Sequence, residues 1–271
     1  MSSAVFYNQT ECDPYYNMAC DEWMFQQACR GSGTLYLRLY GWEMPTITFG
    51  VNQAKERALD FSQLENTPVI RRITGGRALL HDQTELTYCL AVNLGEWDGR
   101  PWTEAPSHLF RVVAEALTEF ATTMGKPADY CRRSGALDSR PDFFHRAPCF
   151  ASRSRYEVVA DGRKIVASAA RKYGDTILQH GAIKLNGVVA HPALYRPGGP
   201  VASYSVDSQP ISDEHRLHGG RLLAKVLARS LNVEFRSGSF CHAELTEQND
   251  LASAIKLSPL NRRFFLHNQG T

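Results

Sequence analysis

Tyr156-Glu157-Val158-Val159-Ala160-Asp161-Gly162-Arg163-Lys164-Ile165-Val166-Ala167 is two runs of β-forming residues joined by Asp-Gly. Asp-Gly suits the two-residue turn of an antiparallel hairpin, because both of its central residues take positive φ. In that hairpin Val159 faces Lys164 and Glu157 faces Val166. Lys164, Val166, Ser168, Val159 and Glu157 then share one face, and Tyr156, Val158, Ile165 and Ala167 share the other, more apolar one. Ile177 to Leu185 reads as a further strand. Upstream, Thr34-Leu35-Tyr36-Leu37-Arg38-Leu39-Tyr40 alternates like a strand, and Thr46-Ile47-Thr48-Phe49 follows Pro45 and stops at Gly50. Helices are expected from about Asn17 to Arg30, from about Pro106 to Met124, and near Arg221–Leu231, where Gly219-Gly220 precedes the apolar face. Strands and helices mix without a repeated βαβ unit. The expectation is an α+β fold with mixed or antiparallel sheets packed with helices, not a doubly wound one. Pro127 to Pro148 reads as a long irregular connection, uncommon unless functional.

The chain has 271 residues, 43% hydrophobic and 21% charged, which excludes disordered, collagen-like and coiled-coil classes. Its length admits one or two domains. Thirty basic against 28 acidic residues leave a formal charge of +2, too balanced for a general nucleic-acid binder. Apolar runs are only a few residues long, so no membrane span is expected, and Met1-Ser2-Ser3-Ala4-Val5 does not read as a secretory signal. A cytoplasmic protein is the default expectation. The seven cysteines (Cys12, Cys20, Cys29, Cys89, Cys131, Cys149 and Cys241) contain no Cys-x-x-Cys pair, so a zinc ribbon is unsupported and no metal is expected.

Three places carry chemistry. Arg71-Arg72-Ile73-Thr74-Gly75-Gly76-Arg77-Ala78-Leu79-Leu80-His81-Asp82 follows the short strand Pro68-Val69-Ile70. Its glycines and cations would let backbone N–H groups approach an anionic or carbonyl oxygen. The same run also fits a tight turn with solvated arginines. It is neither a P-loop nor a dinucleotide fingerprint. Lys164 lies just past the hairpin turn, where a lone lysine is usually solvated. Cys149, in Ala147-Pro148-Cys149-Phe150, is a small core thiol unless an ammonium lies beside it. His81 and His180, taken alone, read as packed or surface residues.

Together these stretches resemble the lipoate–protein ligase A and octanoyltransferase superfamily, whose catalytic domain is that of the biotin–lipoate protein ligases. The resemblance runs from about Tyr16 to about Lys256. It is carried by Asn17-Met18-Ala19-x-Asp21-Glu22, by Pro45-Thr46-Ile47-Thr48-Phe49-Gly50-x-Asn52-Gln53, by Arg71-Arg72-x-Thr74-Gly75-Gly76-Arg77-Ala78-x-x-His81-Asp82, and by Gly162-Arg163-Lys164-Ile165-Val166-Ala167-Ser168-Ala169 followed by Leu178-Gln179-His180-Gly181. Arg77 stands where the ATP-dependent ligases usually carry a third glycine, and Glu85 and Thr87 stand where they tend to show asparagines. Pro-Cys-Phe shortly before the lysine hairpin is similar to the cysteine-dependent octanoyltransferases of the LipM type.

The resemblance implies one catalytic domain over residues 1–271, with no separate C-terminal accessory domain. It implies transfer of an octanoyl group from octanoyl-acyl carrier protein to a lipoyl-domain lysine through a thioester on Cys149, with Lys164 as electrostatic or acid–base partner. The acceptor would be a glycine cleavage H protein or a dehydrogenase E2 subunit, the chain a monomer, and no cofactor would be needed. Substrate contacts are expected from Arg72, Thr74, Gly75, Gly76, Arg77, His81, Ser168, His180 and Gly181. Among these, Arg72, Arg77 and His81 are candidates for holding the loop or receiving an acidic carrier. An apolar slot burying seven CH2 and CH3 groups would contribute roughly 5–6 kcal/mol. The alternatives are an ATP-dependent lipoate–protein ligase, for which Cys149 is dispensable, an octanoyl amidotransferase between lipoyl domains, and a non-enzymatic acyl-binding or lipoyl-domain-binding protein on the same scaffold.

Overall fold

The computed structural model describes residues 3–31, 34–94, 105–132, 149–151, 154–189, 191–194 and 209–260. Six strands form the main sheet: β1 (Ser3–Cys12), β2 (Thr34–Trp42), β6 (Leu86–Asn93), β10 (Val166–Tyr173), β11 (Thr176–Ile183) and β12 (Phe235–Ser237). Their order is β10-β11-β6-β2-β1-β12. β1 runs parallel to β2 and β12, whereas β2–β6, β6–β11 and β10–β11 are antiparallel. The expectation of an α+β fold with mixed sheets is met.

Among the described residues, four longer helices cover the sheet. α1 (Pro14–Arg30) and α5 (His242–Leu257) pack on one face, and α3 (Ala105–Thr123) and α4 (Asp213–Leu231) on the other, with α2 (Lys55–Ala58) a single turn between strands. The strand alternation explains the sandwich. Leu35, Leu37 and Leu39 of β2 join Leu90, Leu117 and Leu227 in one core, while Tyr40 and Trp42 join Met24, Phe25 and Cys89 in the other. A smaller sheet, β4-β3-β5, is made of β3 (Thr46–Phe49), β4 (Val69–Arg71) and β5 (Leu79–His81) and carries the glycine loop between its last two strands in sequence.

Three elements differ from the sequence reading. α1 begins at Pro14, because the Asp13 carboxylate accepts from Tyr15 N and Tyr16 N and proline is tolerated in a first turn. α4 begins at Asp213, capped by Ser212, so Gly219-Gly220 lies inside the helix and does not precede it. A Cβ on Gly220 would stand 2.1 Å from Asn8 Oδ1, so the glycine buys close packing of α4 against β1 at the expense of helix propensity. The third difference is in the hairpin. β8 (Val158–Ala160) and β9 (Arg163–Lys164) pair with Val159 opposite Lys164. Asp161 and Gly162 both take positive φ, as Asp-Gly requires. After Lys164, however, the chain leaves that small sheet, which also holds β7 (Asp129–Tyr130), and enters the main one as β10. Glu157 therefore does not oppose Val166, which pairs with Ile183. From residue 133 onward the irregular connection lies outside the described residues up to 148. Among the described residues no helix is long and apolar enough to cross a membrane.

Candidate active site

Cys149 opens a short 3-10 turn, Cys149–Ala151, and its N–H donates to Ala78 O at 3.0 Å. That bond fixes the cysteine beside the glycine loop. Lys164, at the end of β9, is 4% exposed, so the solvated lysine considered from sequence alone is not what the chain builds. Its Nζ donates to Cys149 Sγ at 3.4 Å, to Cys149 O at 2.9 Å and to Glu157 Oε1 at 2.5 Å. Glu157 is itself buried, and its other oxygen accepts from Ser154 N at 2.6 Å. A thiol, an ammonium and a carboxylate thus stand in line.

The glycine loop is held by Arg72. The guanidinium is 2% exposed, and among the described residues no carboxylate is one of its hydrogen-bond partners. Nε donates to Thr74 Oγ1 at 3.2 Å and Gly75 O at 3.1 Å, one terminal nitrogen to Thr48 Oγ1 at 3.2 Å, and the other to Gly75 O at 2.7 Å and Arg77 O at 2.9 Å. Burial brings its pKa down to about 10, against a small opposing pull from Cys149. Arg77, which borders the same cavity as Cys149, is lowered for the same reason, with Cys149 and Glu157 pulling the other way. Both cations therefore lie within electrostatic reach of the sulfur. Gly76 takes φ 86°, and a Cβ on Gly50 would stand 2.2 Å from Gly76 O, so glycine at both positions lets the loop rest on the end of β3.

Two histidine relays converge on Arg72. His180 Nδ1 donates to Asp21 Oδ2 at 2.7 Å, because a carboxylate can only accept, and Nε2 accepts from the Thr74 hydroxyl at 2.7 Å. His81 Nδ1 donates to Glu85 Oε1 at 2.7 Å, and Nε2 accepts from the Thr48 hydroxyl at 2.9 Å. Each hydroxyl has its oxygen free for Arg72. Burial lowers the His81 pKa, outweighing Glu85, which leaves the ring neutral as this arrangement needs. Burial alone would raise Glu85, but Lys184 at 2.9 Å and His81 hold it at about 2.

Cys149 faces two spaces. On one side a cavity of about 270 Å³ is bordered by Arg77, Phe110, Arg155, Tyr156 and Gln179. On the other an apolar slot is lined by Met18, Leu79, Ala167, Ala169 and Ala182, with about 20 Å³ of free space. That is room for about one water molecule, so an acyl chain requires the walls to part. Met18, unbranched and adaptable, can move with little strain.

Of the residues singled out from the sequence, Arg72, Gly76, Arg77, His81, Cys149, Lys164, Ser168, His180 and Gly181 border one or both of these spaces, whereas Thr74 and Gly75 border neither and connect to them through His180 and Arg72. Ser168 of β10 meets the Tyr88 hydroxyl at 2.8 Å and pairs with Gly181 of β11. Arg72 and His81 are buried, so neither presents a surface to a carrier protein, and of the three candidates for that part Arg77 alone borders the open cavity. Glu157 and Asp21 are functional neighbours that sequence reasoning left without a role. The signals were the shared hairpin face for Glu157 and the α1 motif for Asp21.

Fold and site define the class. Lipoate-protein ligase A bound with ATP aligns with a TM-score of 0.66 at 20% identity, covering 95% of each chain. A bi-partite lipoate protein ligase from Thermoplasma acidophilum aligns with a TM-score of 0.64 at 18% identity, covering 97% of this chain and 99% of that one. These likenesses establish a lipoate–protein ligase catalytic fold. A family model described as the lipoyl protein ligase A/B catalytic domain matches residues 13–197, and the chain belongs to that family. It is 38% identical over 173 residues to an octanoyltransferase LipM of Kyrpidia tusciae, covering 63% of this chain and 62% of the relative. It is 31% identical over 252 residues to an octanoyltransferase LipM of Moorella thermoacetica, covering 90% of this chain and 82% of that relative.

Proposed function

We propose that the protein is a cysteine-dependent octanoyltransferase of lipoate biosynthesis, moving octanoyl from octanoyl-acyl carrier protein to the ε-amine of a lipoyl-domain lysine. The carrying observation is the Cys149 Sγ–Lys164 Nζ contact of 3.4 Å at the junction of cavity and slot. The names of the relatives from Kyrpidia tusciae and Moorella thermoacetica support the same reading.

In this reading the Cys149 thiolate attacks the thioester carbonyl carbon, with Lys164 as the adjacent positive charge. The C–S bond to the carrier breaks. The departing thiolate takes a proton from Lys164 and leaves as a thiol. Exchange between two similar sulfurs is close to balanced, so the step is set by access and charge and needs no added energy source. The acceptor's neutral amine then attacks the acyl-enzyme. Lys164 takes the proton that amine gives up, the C–S bond to Cys149 breaks, and the thiolate and ammonium are restored. In the net balance one proton has moved from amine to carrier thiol: Lys164 gives it up in the first half-reaction and regains it in the second. The acyl group arrives already activated as a thioester, so neither ATP nor a metal is used. Each protein group in these steps comes from a single chain, so a monomer suffices, and a free nucleophilic thiol suits the reducing cytoplasm. The Arg77 and Arg155 border offers positive charge to an acidic carrier.

The test supplies the protein, an apo lipoyl domain (the glycine cleavage H protein or an E2 domain) and, in separate reactions, octanoyl-acyl carrier protein, an octanoylated lipoyl domain, or lipoate with ATP. Transfer from the carrier protein is expected. Modification only with lipoate and ATP would assign the ligase activity instead, and transfer only from the octanoylated domain would assign amidotransfer.

A further inference from the structure

Lys164 is fully committed. An ammonium has three hydrogens, and among the described residues its Nζ has three partners: Glu157 Oε1 at 2.5 Å, Cys149 O at 2.9 Å and Cys149 Sγ at 3.4 Å. Two of these are oxygen acceptors at short range. The third is a sulfur, the longest and weakest of the set. Glu157 is in turn held by Ser154 N at 2.6 Å. The residue before it, Tyr156, takes φ 69°, a conformation costly for a bulky side chain. The chain accepts that strain at the turn that brings Glu157 inward, and strain of this kind concentrates at working sites.

We infer that Glu157 is the positioning residue of acyl transfer. Its carboxylate and the Cys149 carbonyl anchor Lys164 Nζ, so that one remaining hydrogen follows the negative charge from the Cys149 sulfur to the acyl oxygen. The inference rests on the proposed acyl transfer. Before reaction that hydrogen lies on the thiolate. Once sulfur bonds to the acyl carbon it loses its charge and becomes a poor acceptor. The freed hydrogen then meets the acyl oxygen, where charge develops as the thiolate attacks, and passes to the departing carrier thiolate. In the second half-reaction the vacated position on the neutral Nζ takes the proton of the attacking amine. No atom of the anchor has to move between the two half-reactions.

Glu157→Gln is the isostere without the charge, and Glu157→Asp keeps the charge with a shorter reach. If Glu157 served packing alone, the isostere would be the better tolerated. The anchor requires the opposite order. Three rates are read on folded variants, with folding checked by thermal melting: alkylation of Cys149 by iodoacetamide, single-turnover acylation by octanoyl-acyl carrier protein, and discharge to the lipoyl domain. The expected order for all three is wild type, then Glu157→Asp, then Glu157→Gln, with the Gln variant down roughly tenfold or more and KM for the donor little changed. Glu157→Gln within twofold of wild type, or faster than Glu157→Asp, overturns the inference. If Glu157→Gln does not fold, Glu157→Asp is expected to fall below wild type in all three rates, and equality would overturn it. Alkylation needs no acyl donor. A wild type that forms no acyl adduct refutes the transfer reading, while the alkylation rates still decide whether Glu157 anchors Lys164.

Discussion

Arg72→Lys is expected to destabilise the protein far beyond a change between like charges. The guanidinium donates to five acceptor contacts in two directions, toward Thr48 and Thr74 and toward the Gly75 and Arg77 carbonyls. A lysine brings three hydrogens from one point and cannot span that fork. At least two buried acceptors lose their donor, and each costs about 1–3 kcal/mol. The expected loss is about 2–6 kcal/mol, which for a chain of this size lowers Tm by roughly 4–24 °C. The loop displacement would also reach the cysteine, because Cys149 N donates to Ala78 O in that loop. Differential scanning calorimetry measures the first effect, and the rate of acyl-adduct formation by intact mass measures the second. A variant that melts within 2 °C of wild type and acylates at the wild-type rate would show that Arg72 does not organise the loop.

Ala182→Leu places three more carbons in a slot with about 20 Å³ of free space. Octanoyl transfer should fall at least about tenfold relative to a butyryl thioester, since each methylene excluded costs about 0.8 kcal/mol. An unchanged chain-length profile would place the acyl chain elsewhere. Glu85 is held at about 2 against an ordinary value of 4.5, so the unfolded chain binds its proton more readily than the folded one. Its contribution, about 3 kcal/mol, is complete above about pH 4.5 and is lost as pH falls toward 2. Urea midpoints measured from pH 6 to pH 3 should fall more steeply for wild type than for Glu85→Gln, and parallel curves would count against the pairing. Gly220→Ala drives a Cβ to 2.1 Å from Asn8 Oδ1 and should cost about 1–3 kcal/mol in denaturant unfolding, despite the better helix former. A more stable variant would mean that the Asn8 side chain swings aside at little cost.

The sequence carried the chemistry better than the connections. Asp161-Gly162 fixed the hairpin and the Val159–Lys164 pairing through the turn's own φ requirement. It could not show that the chain leaves the hairpin after Lys164, because Val166 suits either sheet. Glu157 and Lys164 were legible as neighbours on a face. Their ion pair depends on the left-handed Tyr156, which no residue type announces. β1 was not foreseen, since Asn8-Gln9-Thr10-Glu11 breaks the apolar alternation on which a strand reading relies. Gly219-Gly220 read as punctuation because helix propensity argues against a buried pair, and the close approach to Asn8 is a tertiary fact. Asp21 and His180, 159 positions apart, meet only because α1 lies across β11.

Octanoyl transfer as proposed requires that Cys149 become acylated beside Lys164. Intact mass of the pure protein after incubation with octanoyl-acyl carrier protein, beside Cys149→Ala, tests it most directly. Wild type is expected to gain one octanoyl group that an apo lipoyl domain discharges and that is absent from Cys149→Ala. No adduct on wild type, or an adduct that survives in Cys149→Ala, would contradict it.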